Sequence, residues 1–418
     1  MVNSNLPSYS AAVLRTLALY TQGLTTPNGG ELPPTMGRIY NMVEQLGCIQ
    51  IDTLHVVQRS HYLVLWSRLG SYDPTDFNGL IYAPLHRRLF EGWQHAATII
   101  PLADYRYQMP HQRRLRERPG INSAQWLSEP GTTELLQLVR QRIHTEGGLR
   151  ASDFAYDGPR RGSWWDWKPA KNALEHLYAW GELAISNRIN FQRVYDLTER
   201  VIPAWVNMTE PSVEERDRYW VELAVRALGA CTPIQAADYT YMKRGPAGKQ
   251  IRSLLDDGSL LSIQARLDGG KEQDLIIHRD NLHLLEQAAD GAIQPQRTTF
   301  LSPFDSLFWA RGRDQQLWNF QSSLEAYKPA PKRIWGYFCL PILHKDRLIG
   351  RLDPLMDRKN KKLVLKALYL EDDYDVSDEL VNSMAKAMID FMAFHSAVDL
   401  VIEKSQPAEF GVKLLAAL

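Results

Sequence analysis

The sequence predicts an α+β fold: tandem winged-helix (helix-turn-helix) domains, then a C-terminal domain containing antiparallel β structure. Three observations carry this expectation. Three helical patterns and two short alternating strands follow one another over about 132–196. The same order recurs over about 213–278, and from about residue 298 the pattern changes to a β meander closed by a helix.

The first region is mainly helical. Val13, Leu14, Leu17, Ala18 and Leu24 fall near helical spacing after the cap Ser10, and a Pro/Gly-rich loop covers 25–34. A second helix is predicted over 35–47, with Met36, Ile39, Tyr40 and Val43 on one side. The period then changes, because Ile49, Gln50, Ile51 and Asp52 alternate apolar and polar as a short half-buried strand does. In the first repeat, Leu135, Leu138, Val139 and Ile143 form a stripe that stops at Gly147-Gly148. A short helix opens at Ser152, and a third runs from about Pro169 to Gly181. The strands Leu183-Ala184-Ile185-Ser186 and Phe191-Gln192-Arg193-Val194-Tyr195 are predicted to be joined by the turn Asn187-Arg188. In the second repeat, helices cover about 213–228, 233–241 and 246–255. Strands at 260–263 and 275–278 flank the turn Asp268-Gly269-Gly270. Strands around Tyr337–Leu340, Arg347–Leu352 and Lys362–Leu365 make the meander, and a helix over 377–402 closes it. These elements divide the chain into an N-terminal helical/winged-helix domain at 1–120, a winged-helix domain at 121–205, its repeat at 206–292 and the β-meander-plus-helix domain at 293–418.

Composition narrows the function classes. The 418 residues are 44% hydrophobic, and 48 Lys+Arg balance 48 Asp+Glu, so any nucleic-acid surface must be a local basic groove or patch. Cys48, Cys231 and Cys339 lie far apart, which disfavours a disulfide framework and a zinc cluster. No Gly-rich phosphate loop is present, and no apolar run approaches the roughly 18 residues of a membrane span. The expectation is a cytoplasmic, nucleoid-associated monomer that needs no cofactor and binds no metal.

Gln50 and Asp52 lie two residues apart in the alternating segment, so on a strand they share a face. A carboxylate beside a carboxamide suits water-mediated cleavage of a glycosidic bond. The anion stabilises the oxocarbenium-like sugar and takes the proton of water, while the amide holds that water. An N7-alkylated purine is a cationic leaving group, so one carboxylate serves where ordinary sugar hydrolases use two. From spacing alone, the wet face of a half-buried strand is the commoner reading, since such alternation occurs on half-exposed strands everywhere.

The surrounding segments are more specific. Gln50-Ile51-Asp52-Thr53 leads to Gln58-Arg59-Ser60-His61-Tyr62-Leu63-Val64-Leu65-Trp66-Ser67-Arg68-Leu69-Gly70. Then come Trp164-Trp165-Asp166-Trp167-Lys168-Pro169, Asn190-Phe191-Gln192-Arg193-Val194-Tyr195-Asp196-Leu197 and Leu301-Ser302-Pro303-Phe304-Asp305. Lys332-Arg333 with Gly336-Tyr337-Phe338, and Gly350-Arg351-Leu352-Asp353, complete the set. In this order they resemble the YcaQ-like family of winged-helix DNA glycosylases, which unhook interstrand crosslinks. The resemblance implies monofunctional base excision from double-stranded DNA carrying alkylated or cross-linked purines, without metal or organic cofactor, with Gln50 and Asp52 as the catalytic pair. The family's signature is Gln, an apolar residue, then Asp or Gln. Asp52 places this chain with the crosslink-processing branch rather than the antibiotic self-resistance branch. Ala96 after His95, where a Glu is usual, and Leu355, where a Lys is usual, depart from the pattern. The alternative is a non-enzymatic winged-helix regulator that prefers one duplex sequence and releases no base.

Candidate DNA contacts are Arg59, His95, Trp165, Lys168, Lys171, Arg193, Lys332, Arg333 and Arg351. All but Arg59 are set against a plain structural counterpart. The tryptophans around Trp165 also fit a loop pinned to the core, Lys168 and Lys171 a solvated helix start, and Arg193 a solvated wing. His95 fits a structural hydrogen bond, and Lys332, Arg333 and Arg351 fit braces of the last domain. A base tied to the opposite strand cannot swing fully out, so the catalytic site is expected to be open to solvent on at least one side.

Overall fold

A computed structural model describes residues 8–26, 34–154, 168–267, 270 and 272–418. The chain forms two compact units. One comprises the N-terminal part through Pro74, Gln94–Thr98 and Asp217–Leu418; the other comprises Thr75–Trp93 and Ile99–Arg216.

In the first unit, Ser10 caps the helix Ala11–Thr21 by accepting from Val13 N–H. Just before it, Ser8–Ser10 adds in parallel to the strand Leu260–Arg266. That strand belongs to the second helical repeat: the helices Val213–Leu228, Pro233–Tyr239 and Arg244–Asp256, then the antiparallel hairpin Leu260–Arg266/Glu272–His278. This is the winged-helix order that the periodicity predicts. The middle helix opens with a Thr232/Gln235 capping box, which satisfies two orphan N–H groups at once. Leu14, Leu17 and Leu19 pack against Ile263, Leu275 and Ile277 of the wing and against Leu301, Trp318 and Leu343 beyond it. The first helix is therefore shared core between the winged helix and the C-terminal sheet.

The C-terminal sheet runs in the order Thr298–Phe300, Leu340–His344, Arg347–Asp357, Lys362–Leu370, Asp399–Ile402. The first four strands pair antiparallel and the last joins in parallel. Two expectations change here. The helix predicted over 377–402 is Asp378–Phe394, capped by Ser377; Ser396 takes φ 54° and Asp399–Ile402 becomes a strand. The run around Tyr337 enters the sheet only at Leu340, because Tyr337 and Phe338 donate their N–H groups to Asp353 instead. Trp66, Phe300 and Phe391 interlock, with ring centroids of Trp66 and Phe391 4.7 Å apart. Through Trp66, the helix Ser60–Leu69 that follows the Gln50–Asp52 segment is built into this core.

The second unit holds the first repeat: Thr132–Glu146, a 3₁₀ turn Ala151–Asp153, Lys168–Ala179, then the hairpin Leu183–Ile189/Gln192–Leu197. Val139, Ile143, Ala173, Leu174, Leu177 and Ile185 form its core. The hairpin turn lies at Asn190-Phe191, not at Asn187-Arg188. Both turn residues take positive φ (49° and 66°), which the right-handed twist of a tight hairpin favours. Asn187 and Arg188 stay in the strand beside a bulge. The mainly helical reading of the first region also misses the strands Leu89–Trp93 and Ala97–Pro101. The predicted loop at 25–34 and the turn at 268–270 fall largely outside the described residues.

Candidate active site

The Gln50–Asp52 segment starts at a helix end. Met36–Leu46, capped by Thr35, stops at Gly47 in a positive-φ conformation (76°), where a Cβ would meet the Leu223 side chain at 2.5 Å. Ile49–Gln50 is the whole strand. Ile51 N–H donates to Ala97 C=O at 2.8 Å, and Asp52 then leaves the strand, its Oδ1 accepting from Leu54 N–H at 2.6 Å. The four-residue alternating strand is therefore corrected to a two-residue strand and an Asp turn. The turn forms because an Asp side chain competes well for nearby backbone N–H groups.

The two polar side chains have different surroundings. The Gln50 carboxamide is half-buried and has no hydrogen-bond partner among the described residues. Asp52 is 9% exposed. Burial raises its carboxyl above the usual range, against the opposing pull of the Leu54 and Thr53 N–H groups and the Arg59 charge. Arg59 is held over this turn by Nη1 donating to Thr53 C=O at 2.7 Å. The Asp52 charge also helps raise the phenol of Tyr327, after burial. Tyr327 sits in a loop organised by Glu325, which accepts from the N–H groups of Ile334 and Trp335 (both 2.8 Å) and from Lys328 Nζ at 2.9 Å.

His95, two residues from Ala97, is fixed by its neighbours. Nδ1 lies 3.1 Å from Asp238 C=O and 3.2 Å from Tyr239 C=O, so Nδ1 carries the hydrogen and Nε2 keeps its lone pair. The ring stacks on Trp309 at 4.3 Å and 4°. Burial lowers the imidazole from its ordinary value, against the opposing pull of those carbonyls, which favours the neutral form.

The other candidate contacts divide clearly. Trp165 lies outside the described residues, and of Lys168 only the backbone start of the Lys168–Ala179 helix is described; Lys171 is exposed on that helix. Arg193 binds Glu175 at 3.0 Å and approaches Glu91, which also takes a bidentate pair from Arg188 at 2.6 and 2.7 Å. Lys332 is exposed, whereas Arg333 donates Nε to Lys328 C=O at 3.0 Å and lies over Tyr337. Arg351 is buried between the Phe320 and Trp335 rings and bonds Glu371 at 2.6 Å. The neighbouring Gly350 leaves no room for a Cβ, which would meet Tyr369 C=O at 2.1 Å.

A cavity of about 260 Å³ lies in the second unit, walled by Phe90, Trp93, Tyr105, Glu175, Tyr178 and Arg193; neither Gln50 nor Asp52 lines it. Among the described residues no His/Cys/Asp/Glu cluster could hold a metal ion, and no helix is long and apolar enough to cross a membrane. The sequence did not single out Tyr327, Trp309 or Tyr241. Each comes near the motif or His95 only through long-range folding, and none carries a local signal.

The chain thus joins winged-helix order to an antiparallel sheet, with Gln50 and Asp52 on one short strand and the turn that follows it. The model of the AlkZ-like DNA glycosylase family matches residues 43–394, and the chain belongs to that family. It is accordingly an enzyme of DNA repair, a DNA glycosylase whose substrate is DNA, and the non-enzymatic regulator is set aside. Among solved structures, the chain is similar to the DNA glycosylase AlkZ of Streptomyces sahachiroi. The TM-score is 0.61 at 12% identity, covering 95% of this chain and 100% of that one, a likeness of fold.

Proposed function

We propose that this glycosylase is monofunctional and hydrolyses the N-glycosidic bond of N7-alkylated purines, including those that link two DNA strands. Gln50 holds the attacking water. Asp52 stabilises the positive charge that develops on the sugar and accepts the water's proton. The base leaves with the bonding electrons, which neutralise its own N7-alkyl cation, so no general acid is needed at the base.

The observation that carries the reading is the contrast between the two side chains. Asp52 is desolvated and held by its own turn, while the Gln50 amide has no hydrogen-bond partner among the described residues and is free to bind water. A desolvated carboxylate acts on a cation with less screening than one in bulk water. The raised carboxyl also makes Asp52 a better proton acceptor than an ordinary surface carboxylate. Selectivity on this account comes from the weakened bond of a cationic base rather than from a closed base pocket, which keeps the site accessible to a tethered base. Arg59, Lys171 and Lys332 are the proposed phosphate contacts.

Incubation with a duplex holding a single N7-methylguanine tests the reading. Wild-type protein releases the base and leaves an alkali-labile abasic site, and Asp52→Asn does not. A wild-type protein that leaves N7-methylguanine in place, or an Asp52→Asn protein that removes it normally, contradicts the proposal.

A further inference from the structure

We infer that Tyr241 is a stacking residue that packs against a base next to the lesion, backed by His95 and Trp309; this rests on the glycosylase reading above. Tyr241 occupies the turn between the Pro233–Tyr239 and Arg244–Asp256 helices, the second and third helices of the winged helix in the first unit. In such a motif the beginning of the third helix is the part that approaches DNA.

Exposure alone would mean little, since single exposed aromatics are common. Tyr241 is 68% exposed and has a left-handed backbone (φ 56°), a conformation unusual for a bulky residue. Its ring stands edge-on to His95 at 5.7 Å and 77°. His95 in turn lies flat on Trp309, which packs on Tyr239 at 5.1 Å and donates Nε1–H to Phe304 C=O at 3.1 Å. A ladder of rings thus leads from the interior to Tyr241 as its outermost member.

The ladder also reaches the Gln50–Asp52 segment. His95 is two residues from Ala97, whose carbonyl accepts from Ile51 N–H. Exposed Lys243 and Arg244 follow Tyr241 after Met242, and the Arg311 charge is felt at His95. Aromatic and cationic groups side by side match a base and its flanking phosphates. The chemistry asks for such a group: a base tied to the opposite strand cannot swing clear, so access to its glycosidic bond must come from opening the stack. A rigid ring occupying the opened step holds it open.

Duplexes carrying 2-aminopurine beside N7-methylguanine test this with Tyr241→Ala, Tyr241→Phe and Tyr241→Trp. Binding of wild type, Tyr241→Phe and Tyr241→Trp changes the 2-aminopurine fluorescence, whereas Tyr241→Ala leaves it unchanged and releases base about tenfold more slowly in single turnover. Circular dichroism and thermal melting check that the exposed substitution keeps the fold. The inference is overturned if Tyr241→Ala gives the wild-type fluorescence change, whether or not base release slows. If wild type gives a Tyr241-dependent fluorescence change yet releases no base, the stacking role stands and the glycosylase specificity falls.

Discussion

In the proposed mechanism Asp52 and Gln50 contribute differently, and substitutions separate them. Asp52→Asn keeps the turn, because Oδ1 still accepts from Leu54 N–H, but removes the charge; base release is expected to fall about 10³-fold. Gln50→Ala leaves the anion in place and is expected to cost about 10²-fold, read in the same single-turnover assay. The direction of the Asp52 shift sets two pH dependences. If the ionised carboxylate is the active form, as proposed, the acidic limb of the kcat/KM profile is expected above the ordinary Asp value, with activity lost as pH falls through it. For stability the sign is opposite. The folded state binds the Asp52 proton more tightly than the unfolded state, so this group's contribution declines as pH rises from its ordinary value to the raised one. At neutral pH, Asp52→Asn therefore melts no lower than wild type. At this scale the family-like segments around the alternating spacing put Gln50 and Asp52 forward as candidates, but did not show the turn that takes Asp52 out of the strand. The His95 and Tyr241 environment was illegible because Asp238, which fixes His95, lies 143 residues away.

Among the elements, several of the family-like segments supply internal braces. Asp305 of Leu301–Asp305 takes a bidentate pair from Arg68 at 2.6 and 2.8 Å, with both side chains fully buried. Arg68 Nε also donates to Gln22 C=O at 2.8 Å, tying the first helix end to the Ser60–Leu69 helix. Asp305→Ala leaves a guanidinium buried without its partner and is expected to cost about 3–5 kcal/mol in denaturant unfolding. Glu325 organises the Tyr327 loop in a pH-dependent way. Burial works to raise it, but Lys328 and the N–H groups of Trp335, Gly336 and Ile334 outweigh burial and hold it at about 2, below its ordinary 4.5. A depressed carboxylate stabilises the fold above its unfolded value, so that stability is lost as pH falls from about 4.5 toward 2. Glu325→Gln flattens this part of the pH–melting curve. Helix starts at Ser10, Thr35 and Ser377 were legible because a short polar side chain satisfies free N–H groups at a helix start. The end at Phe394 was not, because Val398, Leu400 and Ile402 continue an apolar pattern while the chain turns at Ser396, a residue without glycine's signal.

For the whole molecule, the equal counts of 48 basic and 48 acidic residues mean that DNA affinity depends on a few local cations. Arg68, Arg188, Arg193 and Arg351 are already paired with carboxylates. Binding to undamaged duplex is therefore expected to be weak, with a log–log salt slope of about −4 rather than the steep slope of a broadly basic protein; anisotropy titrations in increasing KCl measure it. The repeated helix–hairpin order was legible at this scale because helix caps and strand alternation are local signals. The sharing of the first helix between winged helix and C-terminal sheet was not, because that packing joins Leu14 and Leu17 to residues more than 200 positions away. The central claim concerns one carboxylate and one class of bond. It is tested most directly by single-turnover base release from a duplex with one N7-methylguanine, comparing wild type with Asp52→Asn at matched DNA binding. The account predicts abasic sites with wild type and a loss of about 10³-fold in rate with the variant. Equal rates for the two proteins would contradict it.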